Sequence, residues 1–298
     1  EPTIRKVEEA MRSLGCQMEN TVTVSKETQP LIVLNIPGIE NAFYQEIIRG
    51  ARVSAKAHGC HLLIHESHLN KGNMLDFCNL LRRVDAAGVI LLNRISEEAL
   101  NQIRTIAPLV QCCEYNEHAD YPYVSIDDTR AAEIATEYLL SNGGSKIALI
   151  NGPGNFKYAK RRQEGFMNAL QKAEVMIPKQ WIVQLPEVSY EMAYAAVCRL
   201  LNSDSRPNAF FTISDVFAAA VIRAAKRFRL HVPRDILVVG FDNIELSSMT
   251  SPSITTVNQP KFQMGYTACE MLLELMEDPH EEMKSLLLDT ELVIREST

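Results

Sequence analysis

The 298-residue chain lacks any apolar run long enough to span a bilayer. Its longest apolar segments, such as AGVILL at 87–92, have the length of buried strands, whereas a spanning helix needs about 20 apolar residues. The chain also lacks an excess of positive charge, since 30 Lys and Arg stand against 37 Asp and Glu, for a net charge of −7. These absences exclude a membrane-embedded protein and one that binds nucleic acid through its bulk charge.

Cysteine is present but lacks the spacing of a disulfide or zinc framework. The seven cysteines are scattered, their number is odd, and no C-x-x-C pair occurs. Most of them lie in apolar stretches, which predicts buried thiols in a reducing compartment. The first residues, EPTIRKVEEAMRSLG, are charged and helix-like, so we expect no signal peptide and a cytoplasmic protein.

Motifs for catalysis and cofactor binding are missing as well. There is no G-x-x-x-x-G-K-[ST] loop, no G-x-G-x-x-G fingerprint after a strand and no G-x-S-x-G nucleophile elbow. HESH at 65–68 lacks the H-E-x-x-H spacing, and it follows a strand, so its histidines would not share a helix face. The sequence therefore predicts a protein that is not an enzyme and that holds no metal ion or cofactor.

The glycine-rich segment GPGNFKYAKRRQEGF at 152–166 is open to two interpretations. It directly follows the apolar run KIALI at 146–150, and a glycine turn after a strand can cradle a phosphate. The P-loop pattern is absent, however, and the same turn can open a pocket of another kind. The residues that share its edge of the sheet are needed to choose between the two.

Short apolar runs alternate with amphipathic helical stretches along almost the whole chain. Examples are LIVLNI at 31–36 followed by AFYQEIIRGARVSAKAHG at 42–59, and YVSI at 123–126 followed by TRAAEIATEYLLSNGG at 129–144. This alternation predicts parallel sheets covered on both faces. Two doubly wound halves or a barrel would fit, and we favour two lobes because the functional-looking residues fall in two groups at strand ends.

Polar and aromatic residues follow several predicted strands, at the edge where open α/β sheets bind ligands. An arginine with carboxylates and amides can bind hydroxyl groups in fixed directions, and aromatic faces can stack on a sugar or a nucleobase. Each residue also has a structural alternative, such as a helix cap for an aspartate, the core for Phe43 or an exposed helix face for Arg162. Together they predict a site for a small, polar, ring-shaped ligand. The residues are Asn41, Phe43, Tyr44, Asp127, Asp128, Phe156, Tyr158, Arg162, Ser214, Asp215, Asp242 and Asn243.

Over essentially its whole length the sequence resembles the lac repressor family of bacterial transcription regulators. TIRKVEEAMRSLG at 3–15 is similar to the last helix of the family's helix-turn-helix headpiece. Within the family, the purine- and cytidine-repressor branch is the most similar. The resemblance is carried by NAFYQEIIRGARVSAKAHGCHLLI, VDAAGVILL, VSIDD, ALINGPGNFKYAKRRQEGFMNAL, DILVVGFDNIEL, ITTVNQPKFQMGYTACEMLLELM and ELVIREST, in that order.

The resemblance implies two Rossmann-like lobes with parallel sheets, as in periplasmic binding proteins, joined by three crossovers around a ligand cleft. The first two helices of the headpiece, including the recognition helix, are not in this sequence, so only the full-length protein would bind operator DNA. The expected segments are 1–16 for the last headpiece helix, 17–29 for a linker, 30–127 with 260–287 for the N-terminal lobe, and 128–259 with 288–298 for the C-terminal lobe.

Carried over residue by residue, the effector pocket of the family falls on an aromatic wall, the glycine-rich segment and two strand ends. We expect Arg162 and Asp242 to clamp hydroxyl groups or polar edges of the ligand. The aromatic residues at 156 and 158 favour a sugar ring or a stacked nucleoside over a purine base. The ligand-binding residues implied in this way are Phe43, Tyr44, Asp127, Phe156, Tyr158, Arg162 and Asp242.

The resemblance further implies the effector-binding and dimerisation core of a DNA-binding regulator, most simply a repressor. A sugar or nucleoside bound between the lobes would control operator affinity. We expect a homodimer, from the family and from amphipathic stretches such as 262–277. The alternative function is an extracytoplasmic solute-binding protein of a transport system, which shares the fold. An enzyme on a Rossmann-like sheet is a third interpretation, which the missing motifs disfavour.

Overall fold

The computed structural model describes residues 29–278 and 285–298. These residues form two six-stranded sheets with helices packed on them, which confirms the two-lobed α/β architecture. The barrel alternative is wrong, because each sheet is open and ends in edge strands. The helix predicted over 3–15 and the linker as far as residue 28 lie outside the described residues. Among the helices that are described, none is long and apolar enough to cross a bilayer.

Strands and helices alternate along the chain as the apolar periodicity predicts. Several helices begin at a serine whose hydroxyl accepts a backbone N–H of the first turn, as Ser96, Ser189 and Ser214 do. The elements are β1 Leu31–Ile36, α1 Phe43–Ala57, β2 His61–Glu66, α2 Met74–Arg83, β3 Ala86–Leu91, α3 Glu97–Arg104, β4 Leu109–Cys112, β5 Tyr123–Ile126, α4 Asp128–Ser141, β6 Ile147–Asn151, α5 Lys157–Lys172, a 3₁₀ turn Lys179–Trp181, β7 Ile182–Gln184, α6 Tyr190–Leu201, β8 Ala209–Thr212, α7 Asp215–Arg227, β9 Leu237–Asp242, α8 Leu246–Met249, β10 Thr255–Asn258, α9 Lys261–Glu277, β11 Leu286–Leu288 and β12 Glu291–Val293.

The first sheet has the strand order β2-β1-β3-β4-β5-β11, and all its pairs are parallel. Its central strands are almost wholly apolar because parallel strands are buried on both faces. Helices α1 and α9 pack together and contribute to one hydrophobic core, whereas α2 and α3 pack into a second core on the other face. This sheet and its helices form the N-terminal lobe.

The second sheet has the order β7-β6-β8-β9-β10-β12 and is parallel except for the antiparallel pair β10–β12. The two sheets therefore have the same topology. In the first sheet β1 lies between β2 and β3, and in the second sheet β6 lies between β7 and β8. The winding reverses between β1 and β3, and between β6 and β8. Ligands of such sheets bind outside the carboxyl ends of the strands at these reversals.

The chain passes between the sheets three times: after β5, after β10 and between β11 and β12. The lobe limits expected near residues 127, 259 and 287 lie close to these passages, and their placement stays a prediction. The apolar run LLLDTELVI at 286–294 is divided between the lobes, since β11 pairs with β5 and β12 pairs with β10. Asp289 and Thr290 carry the last passage.

Helices α4 and α5 of the second lobe lie in close contact. A Cβ atom added to Gly165 of α5 would lie 2.0 Å from the backbone oxygen of Thr129 on α4, so this approach requires glycine. The contact brings the first turn of α4, with Asp128, alongside Arg162 of α5. The helix packing thus sets the positions of two charged side chains at the carboxyl edge of the sheet.

Candidate functional site

A cavity of about 580 Å³, its mouth included, lies between the two lobes at the carboxyl ends of their strands. Both lobes supply its walls, the passage after β10 supplies Gln259, and α9 supplies Met264. This is the position that the doubly wound topology predicts for a ligand. The lining residues with polar or aromatic side chains include Phe43, Tyr44, Glu114, Ser125, Asp128, Tyr158, Arg162, Ser214, Asp242 and Gln259.

Five of the seven residues expected to bind a ligand line this cavity: Phe43, Tyr44, Tyr158, Arg162 and Asp242. The first two come from the N-terminal lobe and the other three from the C-terminal lobe, so the structure brings together residues that lie up to about 200 positions apart in the sequence. The structural alternative for Arg162, an exposed helix face, is wrong, since only 5% of this residue is exposed. The role of these five residues in ligand binding stays a prediction.

Phe156 does not line the cavity. It immediately precedes α5, and its ring centroid lies 5.3 Å from that of Tyr158 and 5.6 Å from that of His68 in the other lobe. Its place is therefore beside the cavity, where rings from the two lobes meet.

Asp127 does not line the cavity either, and it has the role of a helix cap, which is the structural alternative for an aspartate. Asp127 is exposed, and its carboxylate accepts a hydrogen bond from the backbone N–H of Arg130, 2.9 Å away, as the N-cap of α4. Asp128, which also belongs to the polar residues predicted to form the site, is buried and faces the cavity. The capping bond turns Asp127 towards the helix end, which leaves the following carboxylate pointing into the cleft.

Arg162 is the centre of a buried polar network. Its Nε donates to Oδ1 of Asp128 at 2.9 Å, and its Nη1 donates to the backbone oxygen of Ile213 at 2.8 Å and to Oδ1 of Asp242 at 3.5 Å. The guanidinium also lies 3.6 Å from the ring centroid of Phe241. These contacts fix the guanidinium plane in a site where water is largely excluded, which suits directed recognition of a polar ligand.

Asp128 is shared by two cations. Besides Arg162, it accepts a hydrogen bond from Nζ of Lys157 at 2.9 Å, and all three side chains are buried. Burial opposes ionisation of Asp128, but the charges of Arg162 and Lys157 outweigh it and hold the pKa below its usual value. The carboxylate therefore stays ionised and neutralises part of the positive charge of α5.

Asp242 ends β9 in a strained turn. Its φ of 103° and the φ of 49° at Asn243 lie in the left-handed region that non-glycine residues rarely adopt. The turn is held by Gln259, whose Nε2 donates to Oδ1 of Asp242 at 2.7 Å, and by Lys261, whose Nζ contacts the backbone oxygen of Asp242. Strain of this kind concentrates at functional sites, where the surrounding contacts enforce it.

A second carboxyl group lies beneath Asp242. Asp215 begins α7, and its oxygens accept hydrogen bonds from Oγ1 of Thr256 at 2.6 Å and from the backbone N–H of Ile244 at 2.8 Å. Burial and the charge of Asp242 raise the pKa of Asp215 to about 8, and burial raises the pKa of Asp242 to about 6. At neutral pH the pair therefore carries about one negative charge, on Asp242.

Replacing Asp215 with asparagine should remove a pH dependence of stability. The folded state keeps this carboxyl protonated up to about pH 8, whereas the unfolded chain ionises it near its usual value of 3.8. The folded state thus binds the extra proton, and between about pH 6 and 7.5 the free energy of unfolding should fall by about 1.4 kcal/mol per pH unit from this group alone. Urea denaturation across this range should show that slope in the parent and its loss in Asp215→Asn.

Asp204 supplies the control for that measurement. It lies after α6 and is exposed, outside the contacts of Asp215. Asp204→Asn should leave the slope above pH 6 unchanged. An unchanged slope in Asp215→Asn as well would show that Asp215 is ionised in the folded protein.

Phe43 and Tyr44 form the aromatic wall of the N-terminal lobe. Their rings meet edge to face with centroids 5.4 Å apart, and Oδ1 of Asn41 accepts the N–H of Phe43 to fix the start of α1. Phe43 also belongs to the hydrophobic core, so it is both the core residue given as its structural alternative and part of the cavity wall. Burial raises the pKa of the Tyr44 phenol well above its usual value, so this hydroxyl is available as a hydrogen-bond donor.

Glu114 is not among the residues predicted from the sequence. It is the second residue after β4 and lines the cavity, and its carboxylate accepts backbone N–H groups at the start of α5 in the other lobe. Burial raises its pKa, and Lys157 together with these hydrogen bonds opposes the rise. The rule that selected the other residues, a polar side chain just past a strand, would also have found Glu114 after PLVQCC at 108–113.

The histidines of HESH take part in separate contacts of the N-terminal lobe. Nδ1 of His65 accepts from Nδ2 of Asn35 at 3.1 Å, and Nδ1 of His68 lies 3.1 Å from Oδ1 of Asn93. In the two described ranges, no group of three or more His, Cys, Asp or Glu side chains has an arrangement that could hold a metal ion.

Comparison with known proteins agrees with this architecture. Residues 136–298 match the periplasmic binding protein-like domain family. Over 300 residues the chain is 33% identical to the HTH-type transcriptional repressor CytR of Escherichia coli (strain K12), and the match covers 99% of this chain and 87% of that protein.

Two solved structures show the same likeness in three dimensions. A putative transcriptional regulator LacI from Bacillus cereus subsp. cytotoxis NVH 391-98 superposes with a TM-score of 0.84 at 26% identity, over 91% of this chain and 99% of that chain. A LacI family transcriptional regulator from Enterococcus faecium, solved with bound ribose, superposes with a TM-score of 0.80 at 26% identity, over 90% of this chain and 98% of that chain.

Proposed function

The chain belongs to the lac repressor family of transcriptional regulators, and we propose that its cleft binds a sugar or a nucleoside that changes the operator affinity of the full-length protein. The observation that carries the proposal is the pairing of Arg162 and Asp242 in a buried cavity whose opposite wall is aromatic. Arginine and carboxylate groups bind vicinal hydroxyls in fixed directions, and Phe43, Tyr44 and Tyr158 offer faces and edges to a ring. The relative solved with ribose supports this ligand class.

The two-lobed architecture gives the regulatory mechanism that we propose. A ligand that contacts both walls stabilises the lobe orientation in which both sets of contacts form, at the expense of other orientations. If that orientation also sets the geometry of the DNA-binding segments, ligand and operator affinities become coupled through one equilibrium. Induction and corepression would use the same cleft and differ only in which orientation suits the operator.

Three further parts of the proposal rest on family membership. We propose that the protein acts as a homodimer, so that two headpieces meet two half-sites of an operator. We place it in the cytoplasm, where its operator DNA is found. We also propose binding without catalysis, because the relatives compared above are regulators rather than enzymes.

A thermal-shift screen of this chain against monosaccharides, disaccharides, nucleosides and purine bases tests the proposal. A ligand that binds only the folded state, present at about 100 times its Kd, should raise the free energy of unfolding by about 2.7 kcal/mol. We expect one compound class to produce such a shift. Asp242→Asn should weaken that ligand about tenfold or more, because it removes the charge from a hydrogen-bond acceptor in the cavity.

Asp235→Asn is the matched control, since it makes the same substitution at the other end of β9, outside the cavity. It should leave the ligand-induced shift unchanged. A ligand that stabilises the parent and Asp242→Asn equally would bind elsewhere and would refute the assignment of the cleft. If no compound of the four classes stabilises the parent, the proposed ligand chemistry is refuted.

A further inference from the structure

The N-terminus of α5 has no capping side chain of its own. Phe156 occupies the N-cap position without a side-chain hydrogen bond, and the first turn of the helix contains no acidic residue. A helix start of this kind leaves backbone N–H groups without partners and carries a partial positive charge, which attracts an anion. It also follows the glycine-rich turn at 152–154, the segment that the sequence left open to a phosphate interpretation.

Glu114 occupies this anion position from the other lobe. Its Oε2 accepts the backbone N–H of Lys157 at 2.9 Å, and its Oε1 accepts that of Tyr158 at 3.0 Å. Glu114 is 4% exposed and lies on the cavity wall, 43 residues before the helix that it caps. A two-oxygen acceptor bound to successive N–H groups at a helix start is the arrangement that a ligand phosphate would otherwise adopt.

The backbone that presents Glu114 is itself strained. The N–H of Glu114 donates to the backbone oxygen of Cys112 at 2.9 Å, which closes a tight turn over Cys113, whose φ is 67°. The hydroxyl of Ser125 donates to the backbone oxygen of Cys113 at 2.8 Å and fixes the turn from the neighbouring strand. The turn aims the side chain of Glu114 across the cleft, so its contact with α5 does not depend on a freely moving loop.

The charged side chains around the cavity are already matched. Nζ of Lys157 and Nε of Arg162 bind Asp128, and Nζ of Lys261 contacts backbone oxygens of Asp242, Asn243 and Gln259. An added phosphate would therefore bring negative charge into a low-dielectric site without gaining a new cation. Within the described ranges, the groups that face each other here are the cations Lys157, Arg162 and Lys261 and the carboxylates Glu114, Asp128 and Asp242.

We propose that Glu114 is a specificity-determining residue that fills the anion position at the start of α5 and so restricts the cleft to uncharged ligands. The inference rests on the proposed function, because it concerns the same cavity. It assigns the ligand to the unphosphorylated members of the sugar and nucleoside class. The glycine-rich turn then opens the pocket, and the phosphate that such a turn can hold is replaced by a carboxylate of the protein.

Matched pairs of probes test this inference. Adenosine, cytidine and ribose, each with its 5′-monophosphate or 5-phosphate, are titrated into the whole chain by calorimetry in a phosphate-free buffer. The parent should bind the neutral member of at least one pair and should bind its phosphorylated partner at least about tenfold more weakly. The ratio to compare is the Kd of the phosphorylated probe divided by the Kd of its neutral partner. In Glu114→Gln, which keeps an acceptor but loses the charge, this ratio should fall about tenfold, and in Glu114→Ala it should fall further.

The control variant is Glu117→Gln. Glu117 belongs to the same loop after β4 and also bridges the lobes, through Nε of Arg161 at 3.2 Å, but it lies outside the cavity wall. If Glu114 acted only by holding the lobes together, Glu117→Gln would change the ratio as Glu114→Gln does, and the inference would be overturned.

The outcomes separate this inference from the proposed function. Phosphorylated probes that bind the parent as tightly as their neutral partners would overturn the role of Glu114 and leave the effector cleft intact. The role of Glu114 would also be overturned if the ratio of the two Kd values were the same in the parent and in both Glu114 variants, provided that circular dichroism shows the variants to be folded. Failure of every neutral and phosphorylated probe to bind the parent, together with no stabilisation by any of the four compound classes in the thermal-shift screen, would overturn the proposed function itself.

Discussion

Replacing Arg162 with methionine should lower the free energy of unfolding by about 3–5 kcal/mol. The substitution keeps most of the side-chain volume but removes a buried guanidinium that is paired with Asp128 and Asp242 and that donates to the backbone oxygen of Ile213. Asp242 would then remain in an apolar surrounding with Gln259 and Lys261 as its partners, and the oxygen of Ile213 would lose its donor. Urea denaturation at pH 7.5 measures the change through the midpoint and the slope of the transition.

Arg161 provides a control on the adjacent position of the same helix. It pairs with Glu117 and Glu164, but these side chains are partly exposed, and exposed ion pairs contribute less than about 1 kcal/mol. Arg161→Met should therefore have a small effect. If Arg162→Met and Arg161→Met lower the free energy of unfolding by the same amount, burial of the Arg162 network contributes nothing to stability. The Arg162→Met variant should also lose the ligand-induced shift, whereas Arg161→Met should keep it.

Replacing Gly165 with alanine should destabilise the C-terminal lobe by about 2–3 kcal/mol, even though alanine is the better helix former by about 1 kcal/mol. The new methyl group would lie 2.0 Å from the backbone oxygen of Thr129 and 2.9 Å from the backbone nitrogen of Glu133. Backbone atoms cannot move aside as a flexible side chain can, so α4 and α5 must separate. Since Asp128 lies on α4 and Arg162 on α5, ligand binding should weaken together with stability.

Gly38 is the matched control for this substitution. A Cβ atom there would find its nearest neighbour, Oε1 of Glu66, at 4.0 Å, so Gly38→Ala should change the free energy of unfolding by less than about 0.5 kcal/mol. Thermal and urea denaturation of both variants provide the comparison. Equal stability of Gly165→Ala and the parent would mean that the two helices can separate at no cost.

The sequence was sufficient for the architecture because parallel strands and their covering helices leave different apolar periods. It also located the edge of the sheet that lines the cavity, since polar residues such as Asp242 lie at the carboxyl ends of buried strands. Periodicity could not decide which of two consecutive side chains points into the cleft. Asp127 and Asp128 differ by one position, and the capping bond to Arg130 decides between them.

Contacts between distant segments explain what remained hidden. Nothing local in α5 shows that its first turn is capped by Glu114, because the acceptor lies in the other lobe. The burial of Arg162 likewise depends on the close approach of α4 at Gly165, which requires both helices to be packed. The raised pKa of Asp215 has the same origin, since desolvation is a property of the folded surroundings rather than of the residue.

The three passages between the lobes share one side of the molecule, because β5 and β11 are neighbours at one edge of the first sheet and β10 and β12 at one edge of the second. A rotation of the lobes about these passages would therefore displace the strands beside them least and the strands farthest from them most. With strands spaced about 4.8 Å apart, β1 lies three spacings, or about 14 Å, from β5. A rotation of about 15°, the size found in rigid-body switches, would then move β1 by about 4 Å. Residues 1–28 precede β1 in the sequence. Such a rotation would therefore move the point from which the segment before β1 extends, whereas a segment joined beside the passages would stay almost in place.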